Sequence, residues 1–207
     1  MTKMNNPKVI AKYIHCLSIL EDKTAKLYKN LSERVEPPLI KSLLLSISKD
    51  SSKHSTLLKG IAVSISDSKQ KAKDCAKNLG EVWNTVSSYL NEMNKKDRIS
   101  KVYFSELLPA LIALESSLGE EYYIFVQMKT LQLMVKEINQ LYSINLDKIK
   151  IVFESIIRDE EHHREILATI KSIISEDLKE QDNTPKVKYQ HPDAWVHSLP
   201  PTTYDSQ

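Results

Sequence analysis

Glycine is scarce in this chain, with three in 207 residues, against an average usage of about 7%. With few Val/Thr/Tyr alternations between turn signals, that shortage excludes a sheet-rich fold and predicts long helices. Cysteine is almost absent. Cys16 and Cys75 stand far apart and form no Cys-x-x-Cys pattern, which excludes a disulfide framework and a zinc ribbon and predicts two reduced thiols. No uninterrupted apolar run reaches the ~18 residues that a membrane span needs. The stretch Val9 to Leu20 is broken by Lys12 and His15 and lacks a small-residue cleavage site, so it reads as helix rather than signal peptide. Charge of one sign is lacking too. The 29 basic and 27 acidic residues leave a formal charge of +2, interspersed as on ordinary helix surfaces, and this excludes nucleic acid as the main partner. These absences predict a soluble, cytoplasmic protein without a membrane partner.

What is present suffices for a sizeable core: 41% apolar and 27% charged residues, enough for one domain with appendages. A first helix is expected from Pro7 to about Val35, where Glu36-Pro37-Pro38 stops it. Its inward stripe is Ile10, Ile14, Leu17, Glu21, Leu27/Tyr28 and Leu31. A second helix is expected from Leu39 to about Ile61, antiparallel to the first, with Leu43, Leu44, Ile47, His54, Leu57, Leu58 and Ile61 inward. The region Ser64 to Asp74 reads as a loop or frayed helix, followed by a short helix from Leu79 to Met93 bearing Trp83, Val86 and Leu90. This connection is too long for a hairpin and suits a crossover along a bundle. A third long helix is expected from Lys101 to Val135, with Pro109 kinking it or marking its start, and Leu108, Leu111, Glu115, Leu118, Tyr122, Phe125 and Leu133 inward. A break at Ser143 to Asn145 and a cap at Asp147 open a fourth helix to about Asp177. Beyond Asp182 the prolines and aromatics, among them Tyr189, Trp195 and Tyr204, exclude a long helix and predict an irregular tail. The division is thus a helical domain over 1–180 and an extended tail over 181–207.

Each long stripe carries ionisable groups. In Asp159-Glu160-Glu161-His162-His163, a helical ~100° per residue puts Glu160 and His163 on the face of Phe153, Ile156, Leu167 and Ile170, while Glu161 and His162 face solvent. Glu21, His54 and Glu115 interrupt the other stripes near mid-helix, so antiparallel packing brings five potential ligands to one level. Carboxylates and imidazoles buried there cost several kcal/mol unless they are paired or bound to metal, and the cluster points to a metal site. Tyr28 and Tyr122 follow Glu21 and Glu115 by seven residues each, the nearest thing to an internal repeat. Three residues before His54 stands Ser51, and Asp50 leans to the same side.

In these residues the chain resembles the ferritin-like superfamily and, within it, the rubrerythrin group. The pattern is a Glu on helix one, Glu-x-x-His on helix two, a Glu on helix three and Glu-x-x-His on helix four, with tyrosines two turns after the first and third glutamates. Glu21, Tyr28, His54, Glu115, Tyr122, Glu160 and His163 match it across about residues 7 to 178. The resemblance implies an all-α, ferritin-like four-helix bundle whose long crossover holds a short helix between helices two and three. It also implies two iron ions, or manganese or a mixed pair. Glu115 would be a bridging ligand, Glu160 a second bridge or chelate, and Glu21 terminal, with one histidine per metal and Tyr28 or Tyr122 assisting catalysis.

The implied activity is reduction of peroxide or oxygen, or oxidation of ferrous iron. No four-cysteine rubredoxin-type domain is present, so electrons would come from a separate donor. Ser51 departs from the pattern, and only hydroxide or the shorter Asp50 is at hand to complete the ligand set. An asymmetric or weakened di-metal site, a single-metal site or a metal-free site follows. The alternative is a helical scaffold whose former ligands form a polar core and whose Trp195 tail mediates assembly. A homodimer suits long amphipathic helices.

Overall fold

The computed structural model describes residues 7–66, 72–127 and 146–183. Among these, all regular structure is helical, with no strand: α1 (Pro7–Arg34), α2 (Pro38–Ile65), α3 (Ala72–Met93), α4 (Lys101–Gln127) and α5 (Leu146–Asn183). Predicted features at 128–145, Leu133 included, and in the tail beyond 183 lie outside the described residues.

The helix ends follow local chemistry. Pro37 takes an extended conformation (φ −60°, ψ 120°) and Pro38 opens α2, where its missing N–H would find no helical partner in any case. The second helix runs a turn beyond Ile61 to Ile65, because Ala62 and Ile65 continue the buried stripe. The short helix begins at Ala72 rather than Leu79 and bends at Gly80, whose φ of 57° is a conformation that a side chain would strain. Pro109 lies inside α4, which continues through it. Asp147 falls within α5.

Contacts fix the helix directions. Ser48 Oγ donates to the Ala25 carbonyl (2.8 Å) and Ser55 Oγ to the Ser18 carbonyl (2.7 Å), so α1 and α2 run antiparallel, close enough for side chains to reach the opposite backbone. The register against α3 rises in the same sense on both helices, from Cys16 beside Cys75, through Lys23 over Trp83, to Asn30 bonded to Asn94. The crossover therefore climbs parallel to α1 and returns the chain to the end where α1 finishes. α4 then descends and α5 ascends, with Lys101 paired to Asp177 at one end and Tyr122 against Phe153 further along. The result is a helical bundle in which α1 and α5 run one way and α2 and α4 the other.

The predicted stripes are the core. Ile14, Leu17, Leu31, Leu44, Ile47, Leu58, Leu108, Leu111, Leu118, Phe153, Ile156, Leu167 and Ile170 are all buried. Leu57 is an exception, 40% exposed, since α2 is covered on the side facing α1 and α5 and position 57 falls outside that sector. No helix of the described residues is long and apolar enough to cross a membrane.

The expected reduced thiols are not found. Cys16 and Cys75 form a disulfide with a Cα–Cα distance of 5.0 Å, fully buried between α1 and α3. Spacing along the chain concealed this, because the crossover brings together positions 59 residues apart. In the chain-entropy model a cross-link over that separation stabilises the fold by about 4 kcal/mol. Full reduction, or the C16S/C75S double variant, should therefore lower the unfolding free energy by about that amount in urea titrations. A loss well under about 1 kcal/mol would show that the α1–α3 contact needs no covalent tie.

Candidate metal centre

The five residues singled out on helical stripes converge. Glu21, His54, Glu115 and His163 are completely buried and Glu160 is 1% exposed. α1, α2, α4 and α5 each supply at least one of them, and they form two groups, Glu21–His54–Glu160 and Glu115–Glu160–His163. Within each group the candidate ligand atoms lie within 4.8 Å of one another. Glu160 belongs to both. Its Oε1 stands 3.1 Å from His54 Nδ1 and its Oε2 3.5 Å from His163 Nδ1. Glu21 lies 3.9 Å from His54 Nδ1, and Glu115 lies 3.1 Å from His163 Nδ1. The two imidazoles are 6.0 Å apart between ring centroids. The geometry thus gives the shared position to Glu160, whereas Glu115, expected to bridge, falls in one group alone.

The outer nitrogens of the two rings show a crossed pattern. His54 Nε2 meets Asp159 of α5 at 2.9 Å, and His163 Nε2 faces Asp50 of α2 at 3.6 Å. Each aspartate stands four residues before the histidine of its own helix and serves the histidine of the other. Lys53 joins the pair from outside, 3.0 Å from Asp50 and 2.9 Å from Asp159. Asp50 was a candidate to replace the carboxylate missing at Ser51, but it sits on the outer side of the His163 ring and in neither ligand group. Its backbone position turns its short side chain past the centre. Asp159 was overlooked as a functional residue. The signal was present in the recurrence of Asp-x-x-x-His at Asp50–His54 and Asp159–His163. A carboxylate on one imidazole nitrogen fixes the ring and directs the other nitrogen's lone pair inward.

The tyrosines cross in the same way. The Tyr28 hydroxyl of α1 donates to Glu115 of α4, and the Tyr122 hydroxyl of α4 donates to Glu21 of α1. Both rings are fully buried. Burial, then the neighbouring carboxylates, push both phenols well above their ordinary value, so they remain protonated donors.

Burial dominates the carboxylates as well. Desolvation, reinforced by the charge of Glu160, raises Glu21 to about 8. Desolvation and then Glu115 hold Glu160 well above the usual carboxylate range. At Glu115 desolvation is outweighed by the His163 imidazole, Glu160 and the Tyr28 hydroxyl, which lower it. Burial opposes the charge on His163, but Glu115 and Glu160 outweigh it and push the imidazole up to about 10.

These arrangements leave polar atoms unsatisfied. Glu21 Oε2, Ser51 Oγ, His54 Nδ1, both oxygens of Glu160 and His163 Nε2 are buried without a hydrogen-bond partner, the contacts above being too long or too poorly aligned. Buried polar atoms are normally paired, and each orphan costs roughly 1–3 kcal/mol. Most of these are carboxylate oxygens and an imidazole nitrogen converging on the same small volume, a donor set that fits divalent metal ions. A cleft of about 190 Å³ between α4 and α5, lined by Ser116, Gly119, Glu120 and Arg164, reaches Glu115 and Glu160 from the surface.

A sign follows for the metal-free protein. Glu21 rises from 4.5 to about 8 and His163 from 6.5 to about 10, so the folded state holds more protons than the unfolded chain across that interval. Stability is then lost as pH rises. With chelator present, the thermal midpoint should fall from about pH 6 to about pH 9, and saturating divalent metal should flatten the fall. A midpoint that climbs over this range would contradict the protonation pattern. No known protein family, curated protein or solved structure matches the chain, and its function is inferred from this centre.

Proposed function

We propose that the chain is a ferritin-like, rubrerythrin-type carboxylate protein that holds two metal ions, most simply iron. It would act as an oxidoreductase on peroxide, oxygen or ferrous iron, with electrons from a separate donor. The observation that carries this is the convergence of buried carboxylates and imidazoles from four helices on one volume, with oxygens of Glu21 and Glu160 and a nitrogen of His54 left unpartnered. The helix directions support it, because two antiparallel pairs linked by a crossover that climbs parallel to α1 are what the resemblance implies.

Glu21 and His54 would hold one metal, Glu115 and His163 the other, with Glu160 between them. Bound iron, manganese or a mixed pair would supply redox chemistry toward a small oxidant. The protein's own groups do the rest. Asp159 and Asp50 orient the histidines, and Lys53 ties the two aspartates together across α2 and α5. Tyr28 and Tyr122 donate hydrogen bonds to Glu115 and Glu21 and keep those carboxylates aimed. The surrounding core excludes bulk water, and the α4–α5 cleft admits only small molecules.

Elemental analysis after anaerobic ferrous loading tests this directly, with about two irons per chain expected. Because Glu160 is common to both groups and Glu21 is not, Glu160→Ala should lose both metals while Glu21→Ala keeps one. Metal-free protein after loading, together with a Glu160→Leu variant that is more stable than the parent, would favour a helical scaffold with a polar core.

The cleft gives a second test. Gly119 lies on its floor, where an added Cβ would meet only Glu160 Cβ at 3.6 Å, an ordinary contact. Gly119→Leu should therefore leave metal content intact while slowing peroxide turnover of loaded protein by about tenfold or more. Unchanged turnover would place the entrance elsewhere.

A further inference from the structure

Among the described residues, Ser51 is the buried polar group of the centre that belongs to neither candidate ligand group and makes no hydrogen bond. It is 1% exposed, and its Oγ has no hydrogen-bond partner. That is unusual even within this molecule. Ser18, Thr24, Ser32 and Ser48 are also buried, and each donates its hydroxyl to a main-chain carbonyl. Ser51 makes no such bond.

Its place explains why. Ser51 stands three residues before His54, as Glu160 stands three before His163, and the two helices face each other through crossed aspartate–histidine contacts. Ser51 thus occupies on α2 the position that Glu160 occupies on α5. Serine and glutamate share Cβ and one further atom. What serine lacks beyond that is a carboxyl group, one carbon and two oxygens. Charge points the same way. Glu21, Glu115 and Glu160 bring three negative charges to two divalent cations, leaving one positive charge without a ligand. Asp50 and Asp159 lie on the outer side of the imidazoles, with side chains about a third exposed, and do not fill that place.

We propose that Ser51 makes the centre a binding site for a small external oxyanion of formate or bicarbonate size, held between the metals and accepting a hydrogen bond from Ser51 Oγ. This rests on the di-metal reading above. The anion stands where a second glutamate would otherwise stand, so the charge balance of the centre depends on a dissociable molecule. Metal and anion must then each raise the other's affinity by the same factor.

The test uses the full-length chain, cobalt(II) as a redox-inert metal and sodium formate or bicarbonate as the anion. Metal affinity is measured by titration calorimetry and by the cobalt absorption bands. Formate should raise cobalt affinity by between about 5- and 150-fold and shift the visible bands. Ser51→Glu should bind two cobalt ions without formate and respond to it no further. Ser51→Ala, which keeps the space and removes the donor, should show a smaller formate effect than the parent. If the parent binds two cobalt ions with an affinity and spectrum that formate and bicarbonate leave unchanged, solvent fills the place and this proposal falls while the di-metal reading stands. A formate response in Ser51→Ala and Ser51→Glu as large as the parent's would also overturn it, because the anion would then sit elsewhere. If the parent and both variants bind no cobalt under any condition, both proposals fall.

Discussion

Desolvation of carboxylates at the middle of the bundle is the constraint on which the rest depends. Three glutamates and two histidines have been withdrawn from water into a core otherwise built of leucine, isoleucine and phenylalanine. Charges so placed repel and resist burial unless something opposite in sign meets them. The protein answers partly from within. Protons shift onto Glu21, Glu160 and His163, and two phenols donate to Glu21 and Glu115. Those measures still leave both oxygens of Glu160 without a hydrogen-bond partner at the point where the two candidate ligand groups meet.

The surrounding fold keeps that point in place. Serine hydroxyls reaching across to opposing main-chain carbonyls hold α2 close on α1, which larger side chains would prevent. The Cys16–Cys75 bond and the Lys23–Trp83 contact fasten the crossover to the outer side of α1. Lys53, with Asp50 and Asp159, closes the α2–α5 seam just above the histidines. Each ligand therefore sits on a long rigid helix rather than a loop, the condition under which small ligand spacings are reproducible.

Much of this was legible in the sequence because helical periodicity is a strong signal over long stripes. Glu21, His54, Glu115, Glu160 and His163 stood out as charges on apolar faces, and their mid-helix positions with antiparallel packing made their common level foreseeable. Three features were not legible, for separate reasons. The disulfide joins residues on different helices, and nothing local marks two cysteines as neighbours when a crossover brings them together. The division of labour between Glu115 and Glu160 depends on side-chain directions at the sub-turn level, which a periodicity of 3.6 does not resolve. Asp159 and Asp50 act across helices, so the role of each appears only in the register of α2 against α5. Their matching distance from a histidine was visible, but Asp50 read as a substitute ligand, and Asp159, a partly exposed aspartate, read as ordinary surface.

The crossed contacts relate the α1–α2 half to the α4–α5 half by an approximate two-fold axis through the centre. Glu21 and Tyr28 exchange with Glu115 and Tyr122, and Asp50 and His54 with Asp159 and His163. Among these described positions the correspondence breaks at Ser51 against Glu160. Two identical helix pairs associating as separate molecules could not hold such a centre, because any residue at this place would occur twice, giving two central carboxylates or none. Carrying both halves in one chain frees each to change alone, so an odd number of central carboxylates, closed to two identical pairs, is open to a fused one.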